Sequence, residues 1–497
     1  MRLTLQEISS ALDAAPPAGS GGLVSGYSID SRTLGAGDLF FAIRGQRQDG
    51  HQFVEQALAS GAAAAVVEAS HLDAYSAPVR EKLIAVPNTV QALQALGAFV
   101  RRRWGGPLAA ITGSAGKTTT KQVIAALLST RFRVLASEGN LNNHLGLPLS
   151  LLRLTPETEA GVFELGMSAP GEIRLLGTLA KPDIGVVTNV SAVHLEFFAD
   201  VDAIARAKYE LIETLGSEAW AVLNADDPRV CRFGEQMAGR ALYFGMQASA
   251  QIRALDLEVV PSGGFCFTVP AKPLEQVPPG SLRSGCFRLK PAAPEPASDV
   301  RFHLPLLGRH NVLNVLAALG VCYIFGVPPQ ALAEAVASLR PGAMRGEIIR
   351  LSNGARVVND CYNSNPEALE AVLSAVAALT AKRHIAVLGG MMELGPDSEE
   401  LHRMCGRKAA ELGYDWLLTV GGPAQAIAAG AAEAGMPTRA MRHFSDPESA
   451  GEQARRMLRP GDVVLVKASR SVHLERAWRI ILDSGAAATI PAQSGAE

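Results

Sequence analysis

The chain has 497 residues, and a soft expectation of roughly 150 residues per domain predicts about three domains. Its 46 basic and 48 acidic residues nearly cancel, so the sequence offers no basic field that would hold a nucleic-acid backbone. Hydrophobic residues make up 48% of the chain, which is enough for large cores and excludes global disorder.

The lack of a recognisable targeting signal and the spacing of the cysteines predict a cytoplasmic protein. Residues 1–10 contain Glu7 and no long apolar run, so we expect no signal peptide. No stretch of about 18 uncharged apolar residues occurs, so we expect no membrane span. The six cysteines form no CxxC pair and show no zinc-ligand spacing. We interpret them as free thiols in a reducing compartment.

The first predicted domain, residues 1–87, is a small α/β unit. Apolar runs at 38–43 and 64–67 predict strands, with a helix near 53–60 between them. An amphipathic helix is predicted over 88–103, because apolar residues recur there with helical spacing at Val90, Leu93, Leu96 and Val100. Gly97 lies inside that pattern and weakens it.

The central predicted domain, residues 107–340, alternates strands with helices. That alternation is typical of an α/β domain with a mostly parallel sheet. The strands are predicted at 108–112, 161–163, 183–188, 219–223 and 241–244. Residues 269–298 are dense in proline, glycine and serine, and we expect a mobile loop insertion there.

The third predicted domain, residues 345–483, is a second doubly wound, Rossmann-like unit. Its strands are predicted at 356–360, 384–388, 416–420 and 462–466, and its helices at 366–379, 398–412, 424–434, 447–458 and 472–482. The tail from Ser484 is rich in small residues, and we expect it to be disordered. The sequence therefore predicts an α/β protein of three domains.

The sharpest local motif is a phosphate loop. Residues 111–120 read Ile-Thr-Gly-Ser-Ala-Gly-Lys-Thr-Thr-Thr and join a predicted strand to a predicted helix. Gly113 and Gly116 allow the backbone N–H groups to face a phosphate. Lys117 can reach the terminal phosphates, and the Thr118 hydroxyl can bind Mg²⁺. The spacing is the shorter GxxGKT, and its context still predicts a nucleotide site.

Three further side chains are candidates for chemistry beside that loop. Glu164 ends a predicted buried strand, where a carboxylate needs a partner, either a magnesium ion or a basic side chain. His194 follows another strand end, and it is either a second metal ligand or a hydrogen-bonded structural residue. Lys208 lies in a predicted helix, and the chemistry of the chain alone favours an ordinary solvated lysine there.

Several segments occur in an order that resembles the Mur ligase family, the ATP-dependent amide-bond-forming enzymes of peptidoglycan precursor synthesis. They are 112–120, 138–148, 164–167, 188–190 with 194–196, and 307–314. The resemblance extends over all three predicted domains. Further segments resemble the members that add a dipeptide to a UDP-linked tripeptide: 30–32, 37–41, 50–53, 359–366, 387–395 and 466–471. We find no Asp-Asn-Pro-Arg segment, which is expected in the member that adds the third residue.

The resemblance implies a reaction and its partners. The expected reaction joins D-alanyl-D-alanine to UDP-N-acetylmuramoyl-tripeptide through an acyl phosphate, with ATP and Mg²⁺ as cofactors. We also expect a monomer with no nucleic-acid partner and no membrane span. The sequence does not distinguish lysine from diaminopimelate in the acceptor peptide. Gly390 stands where the family pattern has an acidic residue and Ser364 where alanine is usual, which affects fine substrate contacts.

The resemblance also implies roles for individual residues. ATP is expected to contact Gly113, Ser114, Ala115, Gly116, Lys117, Thr118, Thr119, Asn311, Asn314, Arg345 and Asp360. Magnesium ligands are expected at Thr118, Glu164, His194 and Lys208, the last as an N-carbamate, which reverses the solvated interpretation. The expected catalytic set is Lys117, Lys208 and His194, and the expected UDP-substrate contacts are Ser31, Arg32, Asn142 and Asn143.

Three alternatives remain open. A P-loop motor or switch would need a partner surface and a water-activating residue, and a third domain with its own strand-end loops is unexpected in it. A ligase of the folylpolyglutamate-synthetase type shares the central and third domains, so the first domain separates the two. A non-catalytic nucleotide-binding module would not need both Glu164 and His194.

Overall fold

The computed structural model describes residues 1–193, 195–260, 263–271, 283–284, 287–288 and 298–483. Three parallel or mostly parallel sheets follow one another along the chain, each flanked by helices. This arrangement confirms the predicted three-part α/β fold. Among the described residues, no helix is both long and apolar enough to cross a bilayer.

The first sheet contains four parallel strands in the order β1-β2-β3-β4. Its elements are α1 (Leu5–Ala11), β1 (Tyr27–Ser28), β2 (Leu39–Phe41), α2 (Val54–Ala59), β3 (Ala64–Glu68), α3 (Ala77–Arg80), β4 (Leu83–Val86) and α4 (Thr89–Trp104). The predicted helix over 88–103 is confirmed as α4. Strands β1 and β4 were not predicted, since each is too short or too close to a turn to show a period.

Helix α4 joins the first sheet to the central one. Apolar side chains of both sheets and of α4 form one continuous buried cluster, which includes Phe41, Leu96 and Phe163. Gly97 allows α4 to pack closely against Pro148, because a Cβ atom at Gly97 would lie 3.0 Å from the Cα atom of Pro148. The glycine that weakened the helix pattern is therefore a packing contact.

The central sheet contains seven parallel strands in the order β11-β10-β9-β8-β5-β7-β6. Its elements are β5 (Leu108–Thr112), α5 (Lys117–Leu128), β6 (Val134–Ala136), α6 (Gly146–Leu152), β7 (Ala160–Glu164), α7 (Glu172–Ala180), β8 (Ile184–Val187), α8 (Val201–Glu213), β9 (Trp220–Asn224), β10 (Ala241–Gly245) and β11 (Ile252–Arg253). Strand β5, which feeds the phosphate loop, lies between β7 and β8, so the ends of these three strands meet.

A second, antiparallel sheet covers one side of this domain and was not predicted. It has the order β12-β13-β16, built from β12 (Leu255–Val259), β13 (Phe265–Val269) and β16 (Val300–Leu304). The segment predicted as a loop over 269–298 contains a small antiparallel pair, β14 (Arg283–Ser284) and β15 (Phe287–Arg288). Most of that segment lies outside the described residues. Helices α9 (Arg309–Ile324) and α10 (Ala333–Ala337) complete the domain.

The third sheet has the order β17-β18-β22-β19-β20-β21, and only its edge strand β17 is antiparallel. Its elements are β17 (Glu347–Arg350), β18 (Arg356–Asn359), α11 (Pro366–Ala377), β19 (Arg383–Gly389), α12 (Ser398–Glu411), β20 (Trp416–Val420), α13 (Gln425–Glu433), β21 (Met441–Phe444), α14 (Pro447–Met457), β22 (Asp462–Lys467) and α15 (Glu475–Leu482). Separate apolar clusters bury its two faces. The tail predicted to be disordered lies outside the described residues.

Candidate active site

Two glycines shape the phosphate loop between β5 and α5. Gly113 has φ of 148°, and a Cβ atom there would lie 1.8 Å from the Thr188 Oγ1 atom. Gly116 has φ of 79°, and a Cβ atom there would lie 2.6 Å from the Asn314 Oδ1 atom. Both positions therefore need glycine for backbone conformation and for space. The helix begins at Lys117, so its first turn faces the loop.

The strand-end segment after β8 holds the phosphate loop from one side. The N–H group of Ser114 donates to the Asn189 carbonyl at 3.0 Å, and that of Ala115 donates to Asn189 Oδ1 at 2.8 Å. The Thr188 hydroxyl donates to the Ala115 carbonyl at 2.6 Å. These bonds leave the first turn of α5, whose N–H groups have no partner within a helix, to meet an anion. Asn189 was not predicted as a site residue, although segment 188–190 is one of those that resemble the family.

Lys117 lies over its own loop. Its Nζ atom donates to the carbonyls of Gly113 at 2.7 Å and Ser114 at 3.3 Å. Burial lowers the pKa of Lys117, while the Glu164 carboxylate opposes this shift and Arg345 adds to it. The ammonium group is therefore held among weak carbonyl acceptors beside a carboxylate, where a stronger anion would attract it.

Glu164 lies at the end of β7 and is 3% exposed. Its carboxylate accepts from the Thr118 hydroxyl at 2.8 Å and from Asn142 Nδ2 at 2.9 Å. Among the described residues its carboxylate forms no ion pair, although its charge opposes the lowering of the pKa values of nearby Lys117 and Lys121. A buried carboxylate beside a hydroxyl is the oxygen donor set that Mg²⁺ prefers. The predicted ligand His194 lies outside the described residues.

Lys208 is buried on α8, with 2% of its surface exposed, so the ordinary solvated interpretation is wrong. Burial lowers the pKa of Lys208 well below its ordinary value, and the positive charge of Lys117 adds to the shift. Within the part of the chain that the structure describes, no hydrogen bond or ion pair of its ammonium group is found. Burial and the nearby Lys117 charge therefore both disfavour the charged form of this amine.

Two of the predicted ATP contacts, Asn311 and Asn314, lie on α9 and are joined by a hydrogen bond. Asn314 Nδ2 donates to Asn311 Oδ1 at 2.9 Å, and the Thr120 hydroxyl donates to Asn314 Oδ1 at 3.1 Å. Asn311 Nδ2 donates to the Leu307 carbonyl at 2.7 Å. Asn314 therefore ties α9 to the phosphate-loop helix, and Asn311 bonds to Asn314 from the same helix. Both also line the cleft described below.

The third domain reaches the phosphate loop through Arg345. Its Nη2 atom donates to the Thr118 hydroxyl at 3.1 Å, and its guanidinium carbon lies 4.1 Å from the Tyr362 ring centroid. Asp360 forms an ion pair with the buried Lys467 ammonium, which also donates to the Asn363 carbonyl at 3.0 Å. Lys467 was not predicted as a site residue.

A cleft of about 930 Å³ lies between the central and third domains, and the predicted site residues Gly113 and Lys208 are not among those that line it. Of the predicted ATP contacts, Ser114 to Thr119, Asn311, Asn314, Arg345 and Asp360 border it, as do Glu164, Asn142 and Asn143. The Asn143 Oδ1 atom also accepts from the N–H group of Gly146, the first residue of α6, at 2.8 Å. Ser31 and Arg32 do not line the cleft, and Arg32 is exposed and paired with Asp30 at 2.7 Å.

Gly390 and Ser364, the two residues that depart from the family pattern, differ in their surroundings. A Cβ atom at Gly390 would lie 3.2 Å from the Cβ atom of Pro423, so the proline ring occupies the space of a side chain there. The Ser364 hydroxyl is buried on the wall of the cleft and has no hydrogen-bond partner among the described residues.

Family models match each of the three sheets. The models are "Mur ligase family, catalytic domain" over residues 23–101, "Mur ligase middle domain" over 111–322, and "Mur ligase, glutamate ligase domain" over 344–470. A relative from Bacillus subtilis, named UDP-N-acetylmuramoyl-tripeptide–D-alanyl-D-alanine ligase, is 32% identical over 468 residues. The match covers 93% of this chain and 94% of that one.

Solved structures agree with the sequence matches. MurF from Acinetobacter baumannii superposes with a TM-score of 0.82 at 26% identity, covering 97% of this chain and 99% of that one. MurF ligase from Thermotoga maritima in complex with ADP has a TM-score of 0.77 at 28% identity, covering 92% and 97%. With its three matched domains, its near full-length relative and its phosphate-loop cleft, the chain belongs to the Mur ligase family.

Proposed function

We propose that this protein joins D-alanyl-D-alanine to UDP-N-acetylmuramoyl-tripeptide, with cleavage of ATP to ADP and phosphate, in peptidoglycan precursor synthesis. One observation carries the proposal. Thr118 of the phosphate loop contacts both Glu164 and Arg345, so the nucleotide loop, a buried carboxylate and the third domain meet at one hydroxyl. The relative named for this reaction supports the choice of substrates.

The chemistry begins with a carboxylate, which is a poor electrophile. The terminal carboxylate of the tripeptide attacks the γ-phosphorus of ATP, and the bond to the β-phosphate oxygen breaks to release ADP. The dipeptide amine then attacks the acyl phosphate, loses a proton, and displaces inorganic phosphate as the amide forms. Catalysis of this kind depends on positioning and charge neutralisation.

Residues of the phosphate loop supply much of that charge neutralisation. The N–H groups of the first turn of α5 bind the phosphates, and Lys117 exchanges its bonds to Gly113 and Ser114 for bonds to the terminal phosphate. Thr118 and Glu164 would hold Mg²⁺, with His194 as a further ligand. Bound Mg²⁺ offsets phosphate charge and orients the transferring group. Asn311, Asn314, Arg345 and Asp360 contact the nucleotide.

Lys208 is the proposed site of a carbamate. Its neutral amine attacks carbon dioxide, and loss of one proton leaves an anionic N-carboxyl group on a long stem. The burial of Lys208 and its lowered pKa support this step, since only the neutral amine reacts. The carbamate would bring two oxygen ligands to the phosphate site.

The remaining domains hold the other two substrates. The first domain binds the UDP-sugar through Ser31 and Arg32, and Asn142 and Asn143 continue that site toward the phosphate loop. The third domain binds the dipeptide. Closure of the third domain on the central one, at the cleft between them, would exclude water that otherwise hydrolyses the acyl phosphate. The expected species in solution is a monomer.

A coupled phosphate-release assay tests the proposal. The enzyme is given ATP, Mg²⁺ and UDP-N-acetylmuramoyl-tripeptide, with lysine or diaminopimelate as the third residue, and D-alanyl-D-alanine is then added or withheld. We expect phosphate release that depends on the dipeptide, together with a product whose mass equals both substrates less water. Phosphate release at the same rate without either peptide substrate would contradict the proposal.

A further inference from the structure

A further buried lysine lies one helical turn beyond Lys117, and the proposed mechanism does not use it. Lys121 on α5 is 3% exposed. Its Nζ atom donates to the Ser137 carbonyl at 2.6 Å and approaches the Gly139 carbonyl at 3.4 Å. Burial lowers its pKa, and the negative charge of Glu164 opposes that shift. A lysine buried against carbonyls is costly unless those contacts are needed.

The segment that Lys121 holds, residues 137–143, surrounds Glu164. The Ser137 hydroxyl accepts from the Glu164 N–H group at 3.2 Å, and Asn142 Nδ2 donates to the Glu164 carboxylate at 2.9 Å. The N–H group of Gly166 donates to the Asn142 carbonyl at 2.8 Å, and a Cβ atom at Gly166 would lie 2.9 Å from the Asn142 amide carbon. The segment thus contacts both the backbone and the carboxylate of Glu164.

We propose that Lys121 is a positioning residue for the ligase reaction: through the carbonyls of Ser137 and Gly139 it holds segment 137–143, so that Asn142 orients the Glu164 carboxylate beside the phosphate loop. The inference rests on the proposed function, because Glu164 matters here as a magnesium ligand. It assigns Lys121 an effect on magnesium and on the UDP-substrate, with no contact to ATP.

The substitution Lys121→Met tests this role, since it keeps the length of the side chain and removes the donor. We expect two quantities to rise about ten-fold, the usual effect of losing a partner behind a metal ligand. They are the Mg²⁺ dissociation constant of the ADP-bound enzyme, measured by calorimetry without turnover, and the magnesium concentration for half-maximal activity. The KM for the UDP-substrate rises as well, because Asn142 and Asn143 move. The KM for ATP at saturating Mg²⁺ stays within about two-fold. A rise in the ATP KM alone would overturn the proposal and assign Lys121 to the phosphates.

Three companion variants separate positioning from folding. Lys121→Arg keeps donors for the same carbonyls and is expected to recover most of the magnesium affinity. Gln122→Met places the same new side chain at the next, exposed position of the helix and is expected to match the wild type. In a double-mutant cycle, Lys121→Met and Asn142→Ala are expected to raise the magnesium requirement less than additively. Additive effects would overturn the proposal.

The outcomes remain distinguishable if Lys121→Met fails to fold, which its thermal unfolding midpoint would show. Asn142→Ala alone must then raise the magnesium requirement, and an unchanged requirement in that variant would overturn the proposal. If the wild-type enzyme releases no dipeptide-dependent phosphate, the proposed function itself has failed. If the wild type is active and folded Lys121→Met is unchanged, only the role of Lys121 has failed.

Discussion

Glu164→Gln is the most informative single substitution, because it removes a charge and preserves shape. The oxygen of the new amide can still accept from Asn142, at the present separation of 2.9 Å. Its NH₂ group can donate to the Thr118 hydroxyl, at the present separation of 2.8 Å. The fold should therefore survive. A magnesium ion loses a charged ligand, and we expect its half-saturating concentration to rise about 10- to 100-fold, or about 1.4–2.7 kcal/mol.

The measurement is a magnesium titration of phosphate release at saturating ATP and peptide substrates, with Glu164→Ala beside it. The alanine variant leaves the Thr118 hydroxyl and Asn142 amide without their buried acceptor, so it should also lose about 1–3 kcal/mol of unfolding free energy for each donor left unpaired. Denaturant unfolding measures that loss. The glutamine variant should unfold close to the wild type.

Lys117 offers a competing explanation that the same experiment resolves. The Glu164 charge opposes the lowering of the Lys117 pKa by burial, so removal of the carboxylate charge lowers that pKa further and favours loss of the lysine charge. In that case lower pH restores activity and excess Mg²⁺ does not. The metal assignment predicts the reverse. A folded Glu164→Gln enzyme with an unchanged magnesium requirement would refute the assignment.

Three further substitutions test separate parts of the account. Lys117→Met should keep the fold and lower turnover on the order of 10³-fold, and near-normal turnover in the coupled assay would contradict its role. Lys208→Met should abolish turnover yet raise the unfolding free energy at neutral pH in carbon-dioxide-free buffer, because an apolar side chain replaces a buried amine. Because the pKa of Lys208 is lower in the folded state, the unfolded chain binds more protons there as pH falls below the ordinary lysine pKa. The unfolding free energy of the wild type should therefore fall as pH falls in that range. The variant should lack this pH dependence. Gly97→Ala should destabilise the protein by about 1–3 kcal/mol through the Pro148 contact, although alanine stabilises most helix interiors; a more stable variant would contradict the packing argument.

Local sequence patterns were sufficient to predict those parts of the fold that are built from neighbouring residues. The phosphate loop is built from neighbouring residues, so Gly113, Gly116 and Lys117 could be assigned from their order alone. The alternation of apolar strands with helices likewise indicated three α/β units. The antiparallel sheet was missed even though Phe265, Phe267 and Val269 alternate with partly exposed residues, because a segment rich in proline and glycine follows directly.

Residues whose role depends on distant parts of the chain could not be found in this way. Asn189 holds the phosphate loop from the end of another strand, and Lys467 meets Asp360 across 107 residues of sequence. Lys208 is buried only because the central domain packs around α8, and its helix alone resembles an ordinary amphipathic one. The resemblance to a family, and not the local pattern, pointed to that lysine.

The central claim is that the cleft activates a peptide carboxylate with ATP before an amine attacks it. The most direct test uses UDP-N-acetylmuramoyl-tripeptide labelled with ¹⁸O in its terminal carboxylate, together with ATP, Mg²⁺ and D-alanyl-D-alanine, and analyses the released phosphate by mass spectrometry. The account predicts that each phosphate carries one oxygen from the labelled carboxylate, in step with formation of the amide product. Unlabelled phosphate would contradict it, because that oxygen would then have come from water.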